Sequence, residues 1–232
     1  MSLEYLYNND TQQLQDRVRA LAASNEPALY AECEEVSRLT DTSSLDAKAE
    51  FVSKMNTVGA VFTQMRADLQ TLSRSLSAHA DVFRTRDGQV DFGAVCHAVT
   101  QIEEGRVRLL SCIADLTRAR QALFAFVAEA NRSLHFLRIA RGSVPKELHS
   151  RYAKPIERTE AAYRDLKELD GNICEVQNFS MTFVERHLPA FMARLHTAAD
   201  FNHRGEALDR GAIQTLCNEV LIVINRVPNI TF

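Results

Sequence analysis

Seven histidines, five cysteines and 30 acidic residues supply the groups from which a metal centre or a nucleophile–base pair would be built. Their spacing builds neither locally. A di-metal carboxylate bundle needs Glu-x-x-His pairs facing inward from neighbouring helices. No Glu here has a His three residues later. Asp200 and His203 are the acidic analogue, and they fall at an expected helix end. Cys96 and His97 are adjacent, so on a helix they point about 100° apart. A thiolate–imidazole pair would have to be assembled between helices. His79 lies within an apolar seam and reads as a packing residue. His187 and His196 flank Pro189 with no acid or thiol constellation near them in sequence. No G-x-S-x-G, phosphate-loop or dinucleotide-binding pattern is present. Cys33, Cys96, Cys112, Cys174 and Cys217 are odd in number and lack C-x-x-C spacing, which points to reduced thiols within helices. The expectation is no catalytic residue, no metal and no cofactor.

Charge is the stronger signal. The net charge of −3 hides two opposed segments. Residues 1–50 hold ten acids and four Lys/Arg, a net −6. Residues 132–167 hold nine Lys/Arg and four acids, a net +5. The basic excess centres on Arg138, Arg141, Lys146, Arg151, Lys154 and Arg158. An overall acidic chain is not expected to bind nucleic acid in bulk, but this cluster is a candidate contact for anionic lipid or for an acidic protein partner. Arg106 and Arg120 pose a different question. Both occupy seam positions, where an unpaired guanidinium is costly, so each needs a carboxylate or a place at the seam edge.

The elements that must position these groups are helices. Apolar content is 46%, while Gly (8) and Pro (5) are too scarce for an all-β chain. A short amphipathic stretch carries Leu14, Val18 and Leu21, and Asn25-Glu26-Pro27 interrupts it. A second carries Leu29, Cys33, Val36 and Leu39. Asp41-Thr42-Ser43-Ser44 reads as a loop ending in a helix cap. From Leu45 a long seam of alternating three- and four-residue steps runs from Phe51 through Leu76 and His79 to Phe83. Arg86-Asp87-Gly88-Gln89 breaks it and Asp91 caps the next helix. A second seam runs without a gap from Phe92 to Arg141, and Gly142-Ser143-Val144-Pro145 stops it. Fifty helical residues at 1.5 Å each would reach roughly 75 Å. The third helix starts near Ala153, passes through Asp170-Gly171-Asn172 in register, and should kink at Pro189. It ends near Asn202-His203-Arg204-Gly205, and a last helix covers about 209–226.

Long helices joined by short turns must return on one another. The fold class expected is all-α: an elongated antiparallel bundle of three long helices with shorter N- and C-terminal helices. Residues 1–44 form the short N-terminal helices, and 45–232 one continuous long-helix domain. The stripe Ile213, Leu216, Val220, Val223 and Ile224 either folds back on its own bundle or pairs with a second copy. A symmetric homodimer is the expected use.

The segment His187-Leu188-Pro189-Ala190-Phe191-Met192-Ala193-Arg194, the three-helix plan over roughly 45–226, the aromatic-led seam opening at Phe51 and the basic turn between the second and third helices together resemble the BAR domain family of membrane-curving dimers. The resemblance implies a crescent dimer that touches anionic membrane through the basic helix tip. The acidic N-terminal stretch (Asp16, Glu26, Glu32, Glu34, Glu35) departs from the basic amphipathic helix that inserts into membrane.

The expected function is a non-catalytic helical scaffold, in its sharpest form a BAR-like membrane binder. The alternative is a coiled-coil adaptor that binds proteins and no lipid. The expected location is cytoplasmic, peripheral at membranes if lipid is the partner. Acids at Glu4, Asp10 and Asp16 interrupt any signal sequence, and the longest aliphatic run, Val220–Ile224, is far below the ~20 residues a span requires.

Overall fold

A computed structural model describes residues 11–82, 93–203 and 210–230. The described chain is all helix, with no strand. In order it forms α1 (Thr11–Ser24), α2 (Glu26–Val82), α3 (Gly93–Ser143), a 3-10 turn at Lys146–Leu148, α4 (Ala153–Thr182), a π turn at Phe183–His187, α5 (Pro189–His203) and α6 (Arg210–Arg226). The expected break at 86–91 lies outside the described residues. So do the side chains of His79, Phe83, Phe92, Val95 and His203, and the chain at Arg204-Gly205.

The first seam is borne out from Phe51 to Leu76. Phe51, Met55, Val58, Phe62, Met65, Leu69, Leu72 and Leu76 are each at most 1% exposed. The loop expected at 41–44 is not there, because α2 runs unbroken for 57 residues. The seam passes through this stretch in small and hydroxylic residues. Leu29, Cys33, Val36, Thr40, Ser44, Ala47 and Phe51 are all buried at the same three–four spacing. Their hydroxyls stop being loop formers once satisfied on the helix. Thr40 donates to the Val36 carbonyl (2.9 Å) and Thr42 to the Arg38 carbonyl (3.0 Å). The real junction is a single residue. Asn25 donates its N–H to Leu21 and accepts the Ala28 N–H on its side chain (3.3 Å), closing α1 and capping α2. Pro27 then sits in the first turn of α2, where its missing N–H costs nothing.

Two compact units emerge from the packing. One comprises the described residues within 1–51 and 118–172, the other those within 52–117 and 173–232.

In the first unit, Ser37 donates to the Pro155 carbonyl (2.9 Å), and one heptad further on Ser44 donates to the Ala162 carbonyl (3.3 Å). The equal offset means that α2 and α4 run parallel here. Arg120 with Asp170 and Arg138 with Glu160 show that α3 runs antiparallel to α4. The helix order is therefore up, down, up. α1 adds a fourth helix at one end. Its Leu14 and Val18 join a buried cluster with Leu29, Cys33, Val36, Leu134, Leu137, Val144, Tyr152 and Ile156.

In the second unit α3 again runs antiparallel to α4 and α5, since Gln177 donates to Thr117 (2.8 Å) and His196 meets Glu103 (3.5 Å), and α6 packs on α5. Gly105 lies so close to Met65 that a Cβ there would stand 2.8 Å from its side chain. The C-terminal residues after α6 lie against α2. Arg66 donates to the Val227 carbonyl (2.7 Å), and a Cβ on Gly59 would meet the Ile230 carbonyl oxygen at 2.7 Å. The expected kink at Pro189 takes a definite form. Proline offers no N–H to continue the ladder. The chain loosens into the π turn, with the Leu188 N–H reaching back five residues to Phe183 (3.0 Å), and α5 restarts at Pro189. The third long helix is thus two helices, of 30 and 15 residues, joined by that turn.

Candidate functional site: the basic end of the first unit

The six basic residues gather where α3 turns into α4, and they divide into two groups. Arg138, Arg151 and Arg158 are ion-paired. Arg138 meets Glu160 at 2.8 Å, Arg151 meets Glu26 at 3.3 Å and Arg158 meets Glu34 at 3.5 Å. Arg141, Lys146 and Lys154 are exposed and make no ion pair among the described residues. Glu147 and Glu157, also exposed, stand among them in sequence.

The partners of Arg151 and Arg158 come from the acidic N-terminal stretch. Parallel packing of α2 on α4 carries the start of one helix to the start of the other. Glu26, Tyr30 and Glu34 recur every four residues and so form one stripe. Glu26, 17% exposed, accepts the Tyr152 hydroxyl at 2.9 Å as well as pairing with Arg151. The Arg151 guanidinium lies 3.8 Å from the centre of the Tyr30 ring. Tyr30 stacks edge-on against Tyr152 (5.4 Å) and donates its hydroxyl to Glu34 at 2.7 Å.

The electrostatics follow from this arrangement. Burial, then the Glu26 hydrogen bond, pushes the Tyr152 hydroxyl well above its usual range. The hydrogen bond to Glu34 raises Tyr30, with burial adding to it. Cys33, on the inner side of the same turn of α2, is fully buried, and its thiol is pushed up to about 12 by burial and by Glu32, Glu34 and Glu26. Such a thiol stays protonated and is a poor nucleophile. None of the five cysteines is in a disulfide. The arrangement is a clasp of ion pairs and aromatic rings that ties α2 to α4. Two cations of the basic segment, Arg151 and Arg158, thus find their partners in the acidic one.

Sequence reasoning found the cations and missed Tyr30, Tyr152, Glu26 and Glu34 as their partners. The available signal was the acid–aromatic–acid repeat at 26, 30 and 34. Arg106 and Arg120 do find carboxylates, as their seam positions require. Arg106 bonds Glu103 at 2.8 Å, and Arg120 bonds Asp170 on α4 at 2.7 Å. Burial works to raise Glu103, but the hydrogen bonds from Arg106 and His196 outweigh it and hold the carboxyl low.

The C-terminal stripe folds back within the second unit. Ile213, Leu216, Val220 and Val223 are at most 4% exposed, and Ile224 is half-buried. Packing inside the chain therefore uses the face expected to meet a second copy. The apolar residues of α6 that remain outside are Leu221 and Ile222, each about half exposed. Ile222 borders a groove of about 210 Å³ between α5 and α6, with His187, Phe191, Arg194 and Glu219. Arg194 pairs with Glu219. Among the described residues, no group of three His, Cys, Asp or Glu could hold a metal ion, and no helix is long and apolar enough to cross a membrane.

No protein-family model, no curated protein and no solved structure matches this chain.

Proposed function

We propose that this protein is a non-catalytic helical scaffold that works by binding other proteins, with the basic end of its first unit used first of all to hold the chain itself together. The observation that carries this reading is the division of the cluster. Six free cations at a lipid surface would supply about 6 kcal/mol, at ~1 kcal/mol each. With Arg138, Arg151 and Arg158 already paired, the three that make no ion pair among the described residues supply about 3 kcal/mol. That is short of the ~4 kcal/mol of a millimolar complex. Lipid charge alone does not hold one copy on a membrane. A folded protein partner adds shape and apolar contact to the same three cations.

The second reading is BAR-like membrane binding by a homodimer. It is favoured by one observation, that Arg141, Lys146 and Lys154 are exposed at the turn between α3 and α4 and make no ion pair among the described residues. Two copies would double their contribution. Vesicle flotation with phosphatidylserine at low salt separates the two readings. The scaffold reading expects the protein to stay with the soluble fraction. Flotation that fades with salt and is lost in Arg141→Glu/Lys146→Glu/Lys154→Glu would establish the membrane reading instead.

A further inference from the structure

We infer that the end of α6 is latched to the π turn by a hydrogen bond that exists only while His187 is neutral, so that mild acid releases the C-terminal end of the second unit. The geometry is specific. His187 closes the π turn, and Arg226 is the last residue of α6. The Arg226 guanidinium lies 2.9 Å from His187 Nδ1. A guanidinium has donors and no acceptor, so Nδ1 must carry its lone pair and the ring proton must be on Nε2. Protonating Nδ1 sets a donor against a donor and adds a second positive charge at the contact.

Among the described residues, no carboxylate is paired with His187. On the turn itself stand Glu185 and Arg186. α5 contributes Arg194 and α6 contributes Glu219, and these two are paired with each other. Arg66 of α2 is committed to the Val227 carbonyl. Burial, then Arg226 and Arg186, hold the imidazole below its ordinary range. With the folded value depressed, the stabilisation is complete above the unfolded histidine value of about 6.5 and is lost as pH falls through the folded value. What loosens is the last turn of α6 and the segment after it, where Val227 and Ile230 lie against Arg66 and Gly59. The π turn is suited to this use, because its loosened ladder leaves the His187 side chain at the point where the helix changes direction.

The test is amide exchange at Val223–Val227, measured at about pH 7.5 and about pH 5.5, either side of the ordinary histidine range, and corrected for the intrinsic chemical rate. In wild type, protection should fall about 2- to 10-fold at the lower pH, the size of one lost hydrogen bond. His187→Gln keeps an acceptor that does not titrate, and its protection should be pH-independent. Arg226→Leu should show low protection at both pH values. No fall in wild type would overturn the inference, as would an equal fall in His187→Gln.

Discussion

Tyr152, with no exposed surface, donates its hydroxyl to Glu26 across 126 residues of sequence at 2.9 Å. Through that bond the first turn of α2 and the start of α4 are held together, and Arg151 and Tyr30 close around it. Tyr152→Phe should therefore cost about 1.5–3 kcal/mol, the range for a hydrogen bond to a charged acceptor. Urea unfolding measures it. In a Glu26→Ala background the same substitution should cost clearly less, since the partner is already gone. Equal costs in both backgrounds would mean that the bond contributes nothing.

A second expectation concerns Thr159. It is fully buried, and its hydroxyl has no partner among the described residues. A helical threonine ordinarily bonds the carbonyl four residues back. Here that carbonyl belongs to Pro155 and already receives Ser37. Thr159→Val keeps the branched shape and removes the unsatisfied group, so it should stabilise the protein by about 1 kcal/mol. A loss of stability in the same denaturation experiment would show that the hydroxyl has a partner.

Arg120 and Asp170 are each 27% exposed and bonded at 2.7 Å, with the guanidinium also 5.6 Å from the Phe124 ring. Their pairing lies between a surface bridge, worth about 0–1 kcal/mol, and a buried one, whose rupture costs about 3–5 kcal/mol. Asp170→Asn should cost about 1–2 kcal/mol after allowing for solvent screening. Replacing both partners, Arg120→Met with Asp170→Leu, should cost less than Asp170→Asn alone, because no charge is left unpaired. A double variant worse than the single one would contradict this account.

The helices were legible in the sequence wherever the seam was apolar. Phe51 to Leu76 and Ile102 to Leu137 could be traced by spacing alone, and Gly171 did not mislead because the stripe resumes in phase. The stretch from Thr40 to Ser44 misled because residues that favour caps and turns also make good helix contacts once their hydroxyls are bonded. The pairing of the charge clusters was not legible. It depends on α2 and α4 running parallel with an offset of 118 residues, which no local pattern encodes. The fate of the α6 stripe was legible only as a choice between two uses, since an apolar face does not say which surface covers it.

The most direct measurement removes the internal partners of the cations. Glu26→Gln/Glu34→Gln keeps the hydrogen-bond acceptors for Tyr152 and Tyr30 and releases Arg151 and Arg158 from their carboxylates. Binding to phosphatidylserine vesicles at about 0.05 M salt, where screening is weak, should then be absent in wild type and appear in the double variant. Circular dichroism should show the helix content unchanged. Wild type that binds as well as the double variant would contradict the claim that these acids already occupy the basic end.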